Sequence, residues 1–384
     1  MSRTLALLTH FALLFASLLT PAAAQAADDP WLHLPATADG PGSGKTIVLL
    51  TAEEEYRSEE TFPVMASVLA AQGFDCTVLF AVNRETGLID PDQIDNIPGL
   101  EKLAEADLLV MNMRWRHLPD DQMKQFLDYA NSGKPIFAVR TSTHPFNYPG
   151  DSTSPYKDND WQAGPTGGGW GREFTGETWY SHYGGHKFES TRAIPAFGKR
   201  NHPLLKGVDD VWGPSDVYGI ATDPATIDPI LIGLTLDGME PDAPVRTDLE
   251  PVPVAWTRTH VGPTGNETTL VVTTMGAAGD YESEGFRRFF FNAIYYLLDL
   301  DVPDDLTTLP EDGYVARPYG FGGHQKDIKP ADALKRAMEY TANPKDEGMF
   351  YPPLEQKDID NYERKRRQQT ERQPRRSNGP AGPK

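Results

Sequence analysis

An α/β fold built on a mainly parallel sheet, with helices on both faces, is what this sequence predicts, and three observations carry the prediction. Short apolar runs alternate with helical segments between residues 46 and 140. The runs are apolar at almost every position, as expected of strands covered on both faces. The intervals between them are long enough for right-handed crossovers.

Each element has its own signal. TIVLL (46–50) is a buried strand with turn residues before it and charges after it. Residues 61–72 read as a helix, with Thr61 as cap, Pro63 in the first turn and Gly73 as the stop. FDCTVLF (74–80) is the second strand, followed by a long polar connection and a short helix near 100–106. DLLVMNM (107–113) is the third strand, and Pro119 opens a helix over 120–130 that Gly133 closes. PIFAVR (135–140) is the fourth.

From 145 to about 198 this rhythm breaks. A structureless stretch of that length is usually either functional or disordered. The many aromatics of YKDNDWQAGPTGGGWGREFTGETWYSHYGGH argue for an ordered insertion rich in Trp, Tyr and His. Strands resume at 229–234, 252–259 and 268–275. EGFRRFFFNAIYYLLDL (284–300) is apolar over much of its circumference and reads as a largely buried helix. The main domain is thus expected to span 45–302, with a C-terminal extension at 303–354 carrying a short helix over 331–340.

The two ends differ in kind. Residues 1–26 combine Arg3, a mostly apolar core and a small-x-small site at Ala24-Gln25-Ala26, the pattern of a secretory signal. The protein is therefore expected in the periplasm or outside the cell. Residues 27–44 are a polar lead-in whose DGPGSGKT only imitates a phosphate loop. Asp39 stands where that motif needs glycine, and the strand follows the motif instead of preceding it. No later run is apolar for long enough to span a bilayer.

Cys76 is the one cysteine, so no intramolecular disulfide forms and stability rests on burial. Net charge is −19. Residues 363–384 hold eight basic and two acidic residues, which leaves 28 basic against 53 acidic elsewhere. So acidic a body repels nucleic acid and anionic membranes. The Arg-, Gln- and Pro-rich tail at 355–384 reads as disordered.

In open parallel sheets, ligands bind beyond the carboxyl ends of the strands. That rule singles out Glu53–Glu60 after the first strand, Asn112–His117 after the third and Arg140–Phe146 after the fourth. His144, His182 and His186 fall in these loops and in the insertion, with Glu177 five residues before His182. Imidazoles and a carboxylate on one rim can hold a divalent metal or act as acid and base; they can equally hydrogen-bond loop backbone. Gly184 and Gly185 make a helical two-histidine metal motif unsupported. Arg114 and Arg116 can grip substrate oxygens or pair with acids such as Glu55. Asp216 is a turn former or a functional acid. Trp161, Trp170 and Trp179 can stack on a sugar ring or build a satellite core.

TIVLLTAEEEYRSEET, ADLLVMNMRWRHLPDDQM, GKPIFAVRTSTHPF, GETWYSHYGGH, NHPLLKGVDDVWGPSDVYG, PVAWTRTH and TTMGAAGDYESEGFRRFFFNAIYYLL occur in this order between about residues 46 and 300. In this ordered set the chain resembles the trehalose-utilisation (ThuA-like) family, whose fold is that of class I glutamine amidotransferases. The resemblance implies a flavodoxin-like core and a link to sugar metabolism. Amidotransferases carry a cysteine nucleophile at a strained turn after a strand, where this chain has Arg140, which cannot form an acyl intermediate. ThuA-like proteins often have a histidine there; here Arg140 is followed by Thr141, Ser142 and, a little later, His144.

The expectation is an exported protein acting on, or binding, a sugar or keto-sugar, without glutamine amidotransferase activity. His182, His186, Glu177 and His144 are the acid–base candidates. Arg140, Glu55, Arg114, Arg116, Trp179 and Asp216 are the substrate-binding candidates. A non-catalytic glycan-binding or scaffold protein is the alternative, and a hydrolase using Ser142 a third. A divalent metal and assembly into a homo-oligomer are left open.

Overall fold

The structure, a computed structural model, describes residues 29–220 and 226–372. The expected signal at 1–26 and the end of the basic tail, 373–384, lie outside the described residues.

Twelve strands are present among the described residues. They are β1 (Trp31–Leu34), β2 (Thr46–Ala52), β3 (Asp75–Phe80), β4 (Leu108–Met113), β5 (Ile136–Val139), β6 (Trp179–His182), β7 (Thr191–Pro195), β8 (Val211–Gly213), β9 (Tyr218–Ile220), β10 (Asp228–Thr235), β11 (Val252–Val261) and β12 (Glu267–Thr273). The helices are α1 (Ser58–Ala71), α2 (Asp120–Ala130), α3 (Glu284–Leu297), α4 (Ala333–Ala342) and α5 (Gln356–Arg372). Ten strands form one sheet in the order β1-β3-β2-β4-β5-β12-β11-β10-β7-β8. Its centre, β3-β2-β4-β5-β12, is parallel throughout.

The rest of the sheet is antiparallel, so its parallel character is confined to the centre. Connection length explains one step: the turn from Val261 to Glu267 is too short for the crossover a parallel pair needs. β1 lies in the stretch read as a polar lead-in. It is four residues between Pro30 and Pro35, pairs only with β3, and gains its order from that edge pairing.

Alternating side chains of the central strands feed two cores. Ile47, Leu49, Val110, Phe137 and Val271 pack with α1, α3 and α4 on one face. Val48, Leu50, Met111, Ala138 and Val272 pack with α2 and the insertion residues Trp170 and Phe174 on the other. Trp170, weighed above as a sugar platform, is fully buried and stacks on Phe174 with ring centroids 4.8 Å apart.

α1 begins at Ser58, three residues before the expected Thr61. The Glu53 carboxylate accepts both the Ser58 amide (3.0 Å) and its hydroxyl (2.9 Å), satisfying donors at the helix start from outside the helix. The largest departure is at the C-terminus. Residues 356–372, expected to be disordered, form α5, which docks on the insertion. Composition alone forecast no buried surface here; a few tertiary anchors, described below, supply it.

Candidate functional site

The parallel strands lie in the order second, first, third, fourth, fifth of the chain, so strand order reverses between β2 and β4. The loops leaving these strands and β5 open together at the carboxyl rim, where α/β sheets place their sites. The insertion returns to this rim through the small β6–β9 ribbon. There His182 pairs with Tyr218, two residues past Asp216.

Asp216 is the centre. It is buried (1% exposed) and accepts from His182 Nδ1 at 2.8 Å, His186 Nδ1 at 2.9 Å and an Arg140 nitrogen at 3.0 Å. Burial opposes its charge, but the two imidazoles outweigh it and hold the carboxyl well below the usual range. His186 continues the chain, with Nε2 3.0 Å from Glu55 Oε1. Burial disfavours its charged form, yet Asp216 and Glu55 push its pKa up to about 9. Glu55 answers in the other direction: against burial, His186 and Arg114 lower it to about 2. His186 is thus an imidazolium clamped between two carboxylates.

His182 differs. A carboxylate on Nδ1 requires that nitrogen to carry the proton, so in the neutral ring Nε2 holds the lone pair. Its side chain is 36% exposed and lines a cavity of about 460 Å³. The rings of His182 and His186 lie 4.3 Å apart.

The arginines fall beneath this layer. Arg140, expected to hold an oxygen-rich substrate group, is fully buried. It donates to the Asp216 side chain and carbonyl, the Thr274 carbonyl and the Tyr56 hydroxyl. Its guanidinium sits 3.8 Å from the Tyr218 ring centroid. Arg140 therefore positions Asp216, and the substrate-gripping role expected of it has no exposed atom to serve it. It also has φ 48, the left-handed region, a strained backbone for a residue other than glycine.

Arg114 and Arg116 are buried too. Arg114 pairs with Glu55 (2.5 Å) and Glu54 (2.8 Å); Arg116 pairs with Glu54 (2.6 Å) and three carbonyls. Ser142 is fully buried, donating to the Met111 carbonyl and accepting from the Met113 amide, which is no posture for a nucleophile.

His144 and Trp179 stack with centroids 5.2 Å apart, and Trp115 and Trp161 close the cluster. Burial, reinforced by Arg114 and Arg140, holds His144 well below the ordinary histidine range, so it is a neutral ring. Glu177 is buried in another direction, its Oε2 3.9 Å from Arg172; the carboxylates that face the imidazoles are Asp216 and Glu55. The sequence reading missed Tyr56 and Tyr218, whose hydroxyls meet at 3.2 Å beside Arg140. The position of Tyr56 next to Glu55, and of Tyr218 two residues after Asp216, was the available signal.

Among the described residues, His182, His186 and Asp216 offer ligand atoms within 4.8 Å of one another, as do Asp90, Asp92 and His324. Two imidazoles and a carboxylate suit zinc, manganese or iron. No protein-family model and no curated protein matches the chain. Among solved structures it is similar to a protein from Parabacteroides merdae ATCC 43184, provisionally described as ThuA-like. The identity is 13% and the TM-score 0.43, over 72% of this chain and 97% of the other.

Proposed function

We propose that this is an exported, periplasmic or secreted, ThuA-like protein with a flavodoxin-like core that performs acid–base chemistry on a sugar or keto-sugar, without amidotransferase activity. The observation that carries the chemistry is the Asp216–His182 pair, which presents a lone pair on Nε2 at a cavity wall. The order of the five parallel strands supports the flavodoxin-like reading. The ordered motifs of the sequence support the family, and the tryptophans around His144 supply the flat apolar faces that sugar rings favour.

In this reading His182 Nε2 removes the proton on carbon next to the substrate carbonyl, the C–H electron pair becomes a C=C bond, and the carbonyl π pair moves onto oxygen to give an enolate. Asp216 stabilises the imidazolium so formed, and Arg140 holds Asp216 ionised and in place. His182 then returns the proton to the same carbon or to a departing oxygen. A divalent ion bound to His182, His186 and Asp216 would instead supply Lewis-acid polarisation of that carbonyl.

The test is incorporation of solvent deuterium into a panel of keto-sugars, followed by NMR. His182→Ala should slow exchange by about 10²–10⁴-fold, the usual worth of a positioned base. Undiminished exchange in that variant would remove the assignment. Ligand binding without exchange in the intact chain would favour the non-catalytic glycan-binding reading.

A further inference from the structure

α5 forms one wall of the cavity that His182 and His186 line. Asn361, Tyr362, Lys365 and Arg366 face it from the helix, and Lys187 and Phe188 from the insertion. The helix is docked by few contacts. The Tyr362 ring stacks on Phe188 with centroids 4.4 Å apart and planes 1° apart, and its hydroxyl donates to Glu189 at 2.7 Å. Arg366 makes a two-pronged pair with Asp237, both bonds 2.6 Å. Gly185 lets the ring approach: a Cβ there would lie 2.3 Å from Tyr362 Cε2.

The charges on this wall are uneven. Asp358 is the one acid among the described residues lining the cavity, and Arg366 is already matched by Asp237. Lys365 has no carboxylate partner among the described residues. Lys187 spends one donor on the Tyr351 carbonyl at 3.1 Å and keeps two. It is half-buried, burial lowers its pKa, and its φ of 66 is a strained backbone for a residue other than glycine. Two lysines thus face the cavity with Asp358 as the single acid in its described lining, a cationic wall that favours an anion.

We propose that the cavity takes an anionic sugar, whose carboxylate or phosphate group is bound by Lys187 and Lys365, and that docked α5 is a part of the binding site. The sugar half of this inference rests on the function proposed above; the anion half does not.

Calorimetry on the full chain with glucose, glucuronate, glucose 6-phosphate and inorganic phosphate tests it. One charged sugar should bind about tenfold or more tightly than glucose, a preference that added salt weakens. Which of the two does so tells carboxylate from phosphate. Lys365→Glu, on an exposed helix position, should abolish the preference. Gly185→Ala should abolish it by pushing Tyr362 off its seat; if that variant does not fold, Tyr362→Ala serves. Equal affinity for neutral and charged sugars overturns the inference and leaves the sugar reading standing. Lys365-dependent binding of inorganic phosphate, with no sugar bound, supports the anion site and removes the sugar reading. A preference untouched by Lys365→Glu, or no binding of any probe, overturns the inference.

Discussion

At the scale of single residues, the site is a problem in placing protons. Asp216 could hold either tautomer of one histidine, but three donors converge on it, and each constrains the others. The outcome is one ring clamped as a cation between two carboxylates and one that meets a carboxylate on Nδ1 alone, set by environment and not by residue type. The clamp has a pH signature. His186 is raised from 6.5 to about 9, so its contribution to stability is complete below the unfolded value and fades as pH climbs through about 9. Glu55 is lowered from 4.5 to about 2, so its contribution is complete above 4.5 and fades as pH falls toward 2. Urea titrations should therefore show the intact chain exceeding His186→Gln by most between about pH 4.5 and 6.5, with the gap narrowing on either side. A gap independent of pH would mean the clamp contributes no linked charge.

At the scale of elements, the insertion matters because its two ends are pinned to the rim. The single π turn at Gly171–Thr175 presses against the short helical turn at Arg140–Thr143 that follows β5. Gly171 is the point of contact: a Cβ there would sit 1.8 Å from the Thr143 carbonyl oxygen, next to His144. Backbone cannot yield as a side-chain tip does. Gly171→Ala should cost roughly 1–3 kcal/mol by denaturation, the usual range for overpacking, and should slow deuterium exchange because the His144 platform moves with Thr143. Full stability with full exchange would show that the turn does not position the rim. β6 and β9 were illegible in the sequence for a related reason. β6 is four residues long with every second residue exposed, β9 is three residues long and buried, and each is defined only by pairing between residues 36 or more positions apart.

At the scale of the whole molecule, two cores on opposite faces of one sheet hold the rim steady. Phe290 on α3 is at the centre of the larger, with ring contacts to Phe62, Phe137, Tyr281 and Phe291. It joins α1, β5 and α3 on one face of the sheet. Phe290→Ala should destabilise by about 3–5 kcal/mol in urea, without change in the pH profile of the clamp, since the void opens in an apolar cluster to which no clamp residue belongs. A loss under about 1 kcal/mol would show that the core collapses freely into the void.

Much of this architecture was written locally. Continuous apolar runs and the crossover lengths between them specify β2 to β5 and the helices between, because burial on both faces and chain reach are properties of neighbouring residues. The same local logic points to the rim loops and to their histidines. What folding alone settled is which groups meet. His182 and Asp216 are 34 positions apart and bond through the β6–β9 pairing. Arg140 becomes a buried strut, and a tail with disordered composition becomes a helical wall. Partner, protonation state and solvent access depend on what lies within about 3 Å once water has left, and no spacing along the chain encodes that.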